Sequence, residues 1–234
     1  MKENKAQITE IFSSIQGEGI FLGAKQIFVR FKTCNLDCAF CDVPKDLEPK
    51  AYSVYELMKK VKDMEASKGP HHSVSLTGGE PLLYADFLRI FLNELRKKNF
   101  KTYLETNGTL PDELLKVADL VDIIAMDFKL PSSTGERAFW NEHAEFLKIA
   151  AKKKVFVKAV VTTSTEEKDI EKAISLIKKI RVDIPLILQP ATPVKSSDRH
   201  VNSDMLLRFV DIGSRSGMDS VRVIPQVHKV LGVK

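Results

Sequence analysis

The sequence has no apolar run close to the roughly 18–20 residues that cross a bilayer. Its first five residues lead into a strand-like segment and contain no apolar stretch typical of a signal peptide. No internal repeat or low-complexity segment stands out. From these absences we expect a cytoplasmic protein that has no membrane partner.

A basic groove studded with aromatic residues is also missing, although the formal net charge is +5. The lysines occur in short runs along predicted helices, such as residues 152–154 and 178–179. Such runs are usually solvated helix faces, whereas nucleic-acid recognition needs clustered cations with interleaved aromatic side chains. We therefore expect no nucleic-acid partner.

Cysteine is scarce, and all three residues lie in one stretch of C-x3-C-x2-C spacing: Cys34, Cys38 and Cys41. An odd count at such tight spacing argues against a disulfide framework. Thiolates favour iron–sulfur clusters, zinc or copper(I), and a cubane [4Fe–4S] cluster normally takes one cysteine per iron. Three cysteines would leave one iron open to a small molecule. A zinc site completed by His71 or His72, or three ordinary buried thiols, are the alternatives.

Strand-like and helical patterns alternate along the chain. The predicted strands are 7–14, 26–32, 72–76, 101–105, 122–126, 155–161, 186–188 and 220–224. The predicted helices are 53–64, 84–98, 112–117, 136–151, 166–179 and 203–214, and a capping box of Ser53 and Glu56 begins the first. Residues 46–50 read as a polar linker. This alternation predicts an α/β fold with a parallel sheet and right-handed crossovers.

We expect a partial, open (β/α) barrel of about six parallel strands, formed by a single domain over residues 1–234. Within it we expect an N-terminal strand and glycine-rich turn (1–25), a β/α core (26–225) and a C-terminal tail over the site (226–234). Polar clusters such as Gly-Gly-Glu-Pro (78–81) and Gln-Pro (189–190) follow the predicted strands. Each alone could be a turn, but together they occupy the face where α/β barrels build active sites.

The cysteine spacing resembles the cluster loop of radical S-adenosylmethionine (SAM) enzymes, in which an aromatic residue is common where Phe40 stands. More specifically, the chain resembles the 7-carboxy-7-deazaguanine synthase family. The matching stretches are FSSIQGEG (12–19), FVRF (28–31), CNLDCAFCD (34–42), LTGGEP (76–81), ETNG (105–108) and PQVHK (225–229). The QGEG opening, the strand that carries Arg30 and the Q-x-H-K ending narrow the resemblance from the superfamily to this family.

The resemblance implies a ring-contracting lyase that converts 6-carboxy-5,6,7,8-tetrahydropterin to 7-carboxy-7-deazaguanine with loss of ammonia, in the supply of queuosine or archaeosine precursors. It also implies a [4Fe–4S] cluster, SAM and Mg2+ as cofactors. The implied partners are the pterin, a reducing donor such as flavodoxin or ferredoxin, and a second copy in a homodimer. No side chain is predicted to be catalytic, because a radical derived from SAM would abstract the hydrogen.

The resemblance implies roles for individual residues as well, with Cys34, Cys38 and Cys41 holding the cluster. The SAM-binding residues would be Phe40, Gly78, Gly79, Glu80, Asn107, Asp127, Lys129 and Gln189. The substrate-binding residues would be Ile15, Gln16, Gly17, Arg30, Asp42, Thr77, Glu105 and His228. Arg30 suits the substrate carboxylate because a guanidinium binds carboxylates bidentately. Glu80 would accept from the SAM ammonium or orient its loop.

Two positions depart from the pattern of the family. Val43 stands where Thr or Ser usually offers Mg2+ a hydroxyl, and this hard cation needs oxygen ligands. Either Mg2+ binds through substrate, water and an oxygen such as that of Asp42, or the enzyme depends less on it. Asp127 stands where Ser is frequent, so the SAM contact there differs from the pattern.

Two other functions stay open on the sequence. A glycyl-radical-enzyme activase shares the cluster loop but needs no site for a pterin carboxylate. A zinc- or cluster-binding interaction module needs the cysteines but would not cleave SAM. Detection of 5′-deoxyadenosine after anaerobic reconstitution separates the module from the enzymes, and substitution of Arg30 separates the two enzymes.

Overall fold

The protein is described by a computed structural model that covers residues 5–44, 46–193 and 200–234. Its strands are β1 (Lys5–Ile15), β2 (Lys25–Phe31), β3 (Lys50–Ser53), β4 (Ser73–Gly78), β5 (Thr102–Thr106), β6 (Ile123–Asp127), β7 (Lys154–Val161), β8 (Leu186–Pro190) and β9 (Val221–Val223). Its helices are α1 (Val54–Lys68), α2 (Ala85–Lys97), α3 (Pro111–Leu115), α4 (Pro131–Thr134), α5 (Trp140–Ala150), α6 (Glu167–Ile180), α7 (Ser203–Arg215) and α8 (Val227–Leu231). In these ranges no helix is both long and apolar enough to span a bilayer.

The strands form a single sheet in the order β3-β1-β2-β4-β5-β6-β7-β8-β9. From β2 through β9 the pairing is parallel, whereas β1 is antiparallel to both β2 and β3. β3 and β9 are the two edges, so the sheet is open. This confirms the predicted α/β fold, with seven parallel strands in the described ranges.

Two local expectations need correction. The first strand is antiparallel, because it connects to β2 through a short glycine-containing turn, and parallel neighbours need a longer crossover. The predicted polar linker at 46–50 runs into β3, where Lys50 pairs with Ile8 of β1. This short edge strand forms through backbone hydrogen bonds to one neighbour. Its four residues show no alternating apolar pattern from which a strand could be predicted.

The strands are buried on both faces. In β6, Ile124 and Met126 pack into the main core beneath the helices, whereas Ile123 and Ala125 join a smaller apolar cluster with Tyr103 on the opposite face. The long helices cover the first face, and α2 buries its predicted stripe there: Phe87, Leu88, Phe91, Leu92 and Leu95. The other face of the curved sheet is left to enclose a site.

Helix α1 begins with the predicted capping box. Ser53 Oγ accepts from Glu56 N at 3.3 Å, and Glu56 Oε2 accepts from Ser53 N at 2.8 Å. We expect Ser53→Ala to lower the free energy of unfolding by about 1 kcal/mol, because an N-terminal amide loses its acceptor. Urea denaturation followed by circular dichroism measures this loss. Ser67→Ala, near the exposed end of the same helix, is the control, and equal losses in the two variants would contradict the assignment.

Candidate active site

One cavity of about 880 Å³ lies at the carboxyl ends of the parallel strands. Because those ends meet at the same edge of the sheet, residues far apart in sequence share its wall. Every predicted site residue except Glu80 lines it. The cysteine loop, the ends of β4, β5, β6 and β8, and the C-terminal residues therefore belong to one place in the fold.

The cysteine loop forms one side of the cavity. Cys34 and Cys41 are exposed, Cys38 is half-buried, and all three thiols are free. Main-chain contacts hold the loop, since Ala39 N donates to Thr134 O at 2.9 Å and Cys41 N donates to Cys38 O at 3.0 Å. Burial raises the pKa of the Cys38 thiol to about 11, so its thiolate is favoured only when a cation such as iron replaces the proton.

The donor set fits a [4Fe–4S] cluster better than zinc. In the part of the chain that the structure describes, no three Cys, His, Asp or Glu side chains are grouped to hold a single ion. A cubane cluster does not require such convergence, because each thiolate binds a different iron. Three cysteines on one loop, facing an open cavity, leave the fourth iron accessible to a ligand.

The end of β4 lies against the start of the cysteine loop. Gly78 has a φ of +113°, and a Cβ at Gly79 would collide with the carbonyl oxygen of Thr33. Gly79 N donates to Phe31 O at 2.9 Å, and Glu80 N donates to Thr33 O at 2.7 Å. Only residues without a side chain allow this close approach and leave the backbone accessible from the cavity.

Glu80 is fully buried behind the cavity wall. Its carboxylate accepts from Leu82 N at 3.0 Å, Thr106 Oγ1 at 2.9 Å and Asn107 N at 2.7 Å. These contacts match the second of its two predicted roles, orientation of the loop, and join the end of β4 to the end of β5. Burial raises the pKa of Glu80 to about 7.

A second group of residues occupies the ends of β6 and β8. Asp127 Oδ2 accepts from Lys129 Nζ at 2.9 Å, and Lys129 Nζ lies 5.6 Å from the ring centre of Phe40. Burial opposes ionisation of Asp127, but Lys129 and Lys158 hold its pKa below the ordinary value. Among the described residues, the buried acceptors Asp127 Oδ1 and Gln189 Oε1 have no hydrogen-bond donor, although Asp127 Oδ1 lies 3.5 Å from the ammonium of Lys158. A ligand rich in donors, such as the ribose hydroxyls and ammonium of SAM, fits this wall.

Asn107 completes this side of the cavity. Its Nδ2 donates to Asn35 Oδ1 at 2.8 Å, and its Oδ1 accepts from Thr109 Oγ1 at 2.6 Å. Asn35 follows Cys34, so the carboxamide ties the end of β5 to the cysteine loop. The side chain of Asn107 is thereby fixed in orientation before any ligand binds.

Glu105 is the centre of a polar floor. Its Oε1 accepts from Gln16 Nε2 at 2.9 Å and its Oε2 from Thr77 Oγ1 at 2.8 Å. Gln16 Nε2 also donates to Gln26 Oε1 at 3.0 Å, and Ile15 precedes this turn in the cavity wall. The carboxylate is oriented by its neighbours and retains acceptor capacity for N–H groups of a ligand.

Arg30 lies on the side of the floor formed by β1 and β2. Its Nε donates to Glu10 Oε2 at 2.9 Å, and its guanidinium carbon lies 5.8 Å from the ring centre of Phe12. Phe12 in turn stacks on Phe28, with ring centres 5.0 Å apart. Lys234 also contacts the carboxylate of Glu10. With Nε held by Glu10, the terminal nitrogens of Arg30 are the groups available to an incoming carboxylate.

The C-terminal residues close the cavity as a short helix rather than an unstructured tail. Gly17 O accepts from Val227 N at 2.9 Å, and His228 packs so tightly on Gly17 that a Cβ there would collide with its ring. Lys229 Nζ donates to Asp42 Oδ2 at 2.6 Å. Burial opposes ionisation of Asp42, but hydrogen bonds from Lys229 and Gln226 hold its pKa below the ordinary value.

The prediction from sequence assigned no role to several charged or polar residues of this wall. Among them, Lys158 contacts Glu18, and Gln226 Nε2 donates to Glu18 Oε1 at 2.9 Å. Lys229, which contacts Asp42, is another. Lys158 could have been identified as a candidate site residue from the sequence, because a charged residue inside a buried strand is rare unless it is paired.

Comparison with known proteins assigns the class. Residues 28–177 match the Radical SAM superfamily, and the chain therefore belongs to that superfamily. It is 37% identical to the 7-carboxy-7-deazaguanine synthase of Geobacter sulfurreducens, with 99% of each chain covered. It is 33% identical to that of Methanothermobacter thermautotrophicus, with 98% of each covered. The chain belongs to the 7-carboxy-7-deazaguanine synthase family.

The fold agrees with this assignment. The crystal structure of QueE from Escherichia coli superposes with a TM-score of 0.64 at 20% identity, covering 95% of this chain and 94% of that one. The two synthases are likewise matched over nearly the full length of the chain.

The buried Glu80 generates a pH-dependent prediction. Its pKa is about 7 in the folded protein against an ordinary 4.5, so the folded state retains the proton longer than the unfolded state. As pH rises through this window, the native protein loses stability relative to Glu80→Gln. The expected loss is about 3 kcal/mol in the free energy of unfolding.

Urea denaturation of both proteins at pH 4.5 and at pH 8 measures the difference. Glu171→Gln, a change at an exposed position of α6, is the control and should show no such trend. A constant difference between the native protein and Glu80→Gln across this range would contradict the assigned environment.

Proposed function

We propose that this chain is a radical SAM lyase that converts 6-carboxy-5,6,7,8-tetrahydropterin to 7-carboxy-7-deazaguanine with loss of ammonia. One observation carries the proposal: a single cavity joins the three-cysteine loop to Arg30 and to the polar floor around Glu105. Its volume of about 880 Å³ is of the size that encloses small molecules. Relatives matched over nearly their full length carry this activity in their names, which disfavours the glycyl-radical-enzyme activase.

Cys34, Cys38 and Cys41 would hold the [4Fe–4S] cluster. Around SAM we place Phe40, Gly78, Gly79, Asn107, Asp127, Lys129 and Gln189. When bound and reduced by one electron from a donor, the cluster and SAM would supply the radical chemistry that removes hydrogen from the pterin. The chain itself would orient both ligands, through the close backbone approach at Gly79 and the buried acceptor oxygens of Asp127 and Gln189.

The substrate would lie on the polar floor. Glu105 offers carboxylate oxygens to the amide and amino N–H groups of the pterin, while Gln16 and Thr77 hold that carboxylate in place. Arg30 would bind the substrate carboxylate. The remaining proposed contacts come from Ile15, Gly17, Asp42 and His228, which line the same cavity.

The residues around Asp42 do not fit a Mg2+ site. Val43 lines the cavity beside it and has no ligand atom, and Asp42 Oδ2 already accepts from Lys229 and Gln226. Since Mg2+ requires near-octahedral oxygen ligands, we propose that the ammonium of Lys229 provides the positive charge at Asp42.

The remaining features stay predictions. They are a single domain over residues 1–234, a homodimer, a cytoplasmic location and an electron supply from flavodoxin or ferredoxin. Each of them is compatible with a small-molecule enzyme whose cluster must be reduced before turnover.

Arg30 tests the substrate assignment. We expect Arg30→Ala to raise KM for the carboxypterin roughly 10- to 100-fold, because a charge-assisted pair contributes about 1.5–3 kcal/mol. The assay follows deazaguanine formation by chromatography under reducing, anaerobic conditions. Binding of tetrahydropterin without the 6-carboxylate should be equal in native and variant proteins. Arg89→Ala, on the exposed face of α2, is the matched control, and an unchanged KM in Arg30→Ala would refute the assignment.

The proposed independence from Mg2+ is tested at Val43. We expect the activity of the native enzyme to be unchanged when Mg2+ is chelated, whereas Val43→Thr should gain a response because it restores an oxygen ligand. Mn2+ binding, followed by electron paramagnetic resonance, gives a readout apart from activity. Val43→Ala is the control without an oxygen. A native enzyme that responds to Mg2+ as strongly as Val43→Thr would overturn the argument.

A further inference from the structure

Lys158 places a charge in the interior of an otherwise apolar strand. The neighbouring residues of β7 are buried apolar side chains, and the Lys158 side chain is 13% exposed in the cavity wall. Buried ion pairs are seldom more stabilising than well-packed apolar residues of similar volume. Stability alone therefore gives no reason for an ammonium at this position.

One arm of contacts leads from Lys158 to the C-terminal helix. The ammonium contacts the carboxylate of Glu18, whose Oε1 accepts from Gln226 Nε2 at 2.9 Å. The same Gln226 Nε2 lies 3.0 Å from Asp42 Oδ2, and Asp42 follows Cys41 directly. This arm joins β7, the turn after β1, the helix that closes the cavity and the cysteine loop.

A second arm leads from Lys158 in the opposite direction. Asp127 Oδ1 lies 3.5 Å from Lys158 Nζ, and Asp127 Oδ2 accepts from Lys129 Nζ at 2.9 Å. Lys129 in turn lies over the ring of Phe40, 5.6 Å from its centre. Phe40 precedes Cys41, so the two arms reach the two neighbours of the same cysteine.

We propose that Lys158 is a positioning residue that couples the substrate site to the SAM site, and this inference rests on the proposed function. Because Lys158 joins Glu18 to Asp127, closure of the cavity by the C-terminal helix and placement of residues 40–42 occur together. Each ligand orders one arm, and the other arm is then already in place for the second ligand. Such coupling appears as mutual strengthening of binding.

The link is electrostatic. Burial lowers the pKa of Lys158, but the adjacent carboxylates of Asp127 and Glu18 more than offset this and hold it above its ordinary value. The ammonium therefore stays charged at the pH of any practical assay. A neutral side chain of similar length would keep the packing and remove the link.

Lys158→Met makes this change. The cluster-loaded protein, kept anaerobic and without reductant so that no turnover occurs, is titrated with 6-carboxytetrahydropterin by calorimetry, with and without SAM. In the native protein we expect SAM to tighten pterin binding by about five-fold or more. In Lys158→Met we expect the two dissociation constants to agree within about two-fold.

Lys154→Met is the matched control, because Lys154 lies on the same strand but is exposed and outside the cavity. It should retain the native ratio of dissociation constants. If Lys158→Met fails to fold, Lys158→Met combined with Asp127→Asn removes a cation and an anion together and is read in the same way. A variant that lacks Lys158 and retains the native ratio overturns the inference.

The outcomes separate this inference from the proposed function. Turnover of the carboxypterin is measured on the native enzyme with reductant added. A native enzyme that forms the deazaguanine but shows no strengthening by SAM refutes the coupling alone. A loaded and reduced native enzyme without turnover refutes the proposed function itself.

Discussion

The buried carboxyl group of Glu80 connects three segments on which the cavity depends. Its side chain accepts from Thr106 and from the backbone of Asn107, and its own backbone N–H donates to Thr33 at the start of the cysteine loop. A buried carboxyl without such donors would cost several kcal/mol. Separation of β4 from β5 would leave this carboxyl group unsatisfied, and separation of β4 from the cysteine loop would break the backbone hydrogen bond to Thr33.

Charge pairing shapes the rest of the wall in the same way. Lys129, Lys158 and Lys229 each contact a carboxylate of Asp127, Glu18 or Asp42. Opposite charges at short distance offset the desolvation that burial imposes on each of them. The cavity thus presents paired ions with fixed geometry, together with Gln189 Oε1, a buried acceptor that has no hydrogen-bond partner among the described residues and could accept from a donor-rich ligand.

This arrangement suits a reaction that must confine a reactive species. Strand ends and a C-terminal helix form the walls of the cavity that would enclose both ligands. The residues of that helix contact the cysteine loop through the hydrogen bond to Asp42. Reorganisation at the moment of reaction is small when the polar groups are already oriented. On the proposed function, these residues would contribute by orienting the ligands.

The chemistry of the cysteine loop and most of the strand and helix order could be inferred from the amino-acid sequence. Both are local: ligand type depends on three nearby cysteines, and the apolar stripe of α2 repeats within a few turns. The shared placement of polar clusters after strands also predicted one site, because parallel strands end at one edge. Local pattern did not reveal β3, whose hydrogen bonds come from β1. Nor did it reveal the contact of Lys158 with Glu18 across 140 positions, or the burial of Glu80 away from the cavity. Those features depend on which segments the fold brings together, and no short stretch of sequence contains both partners.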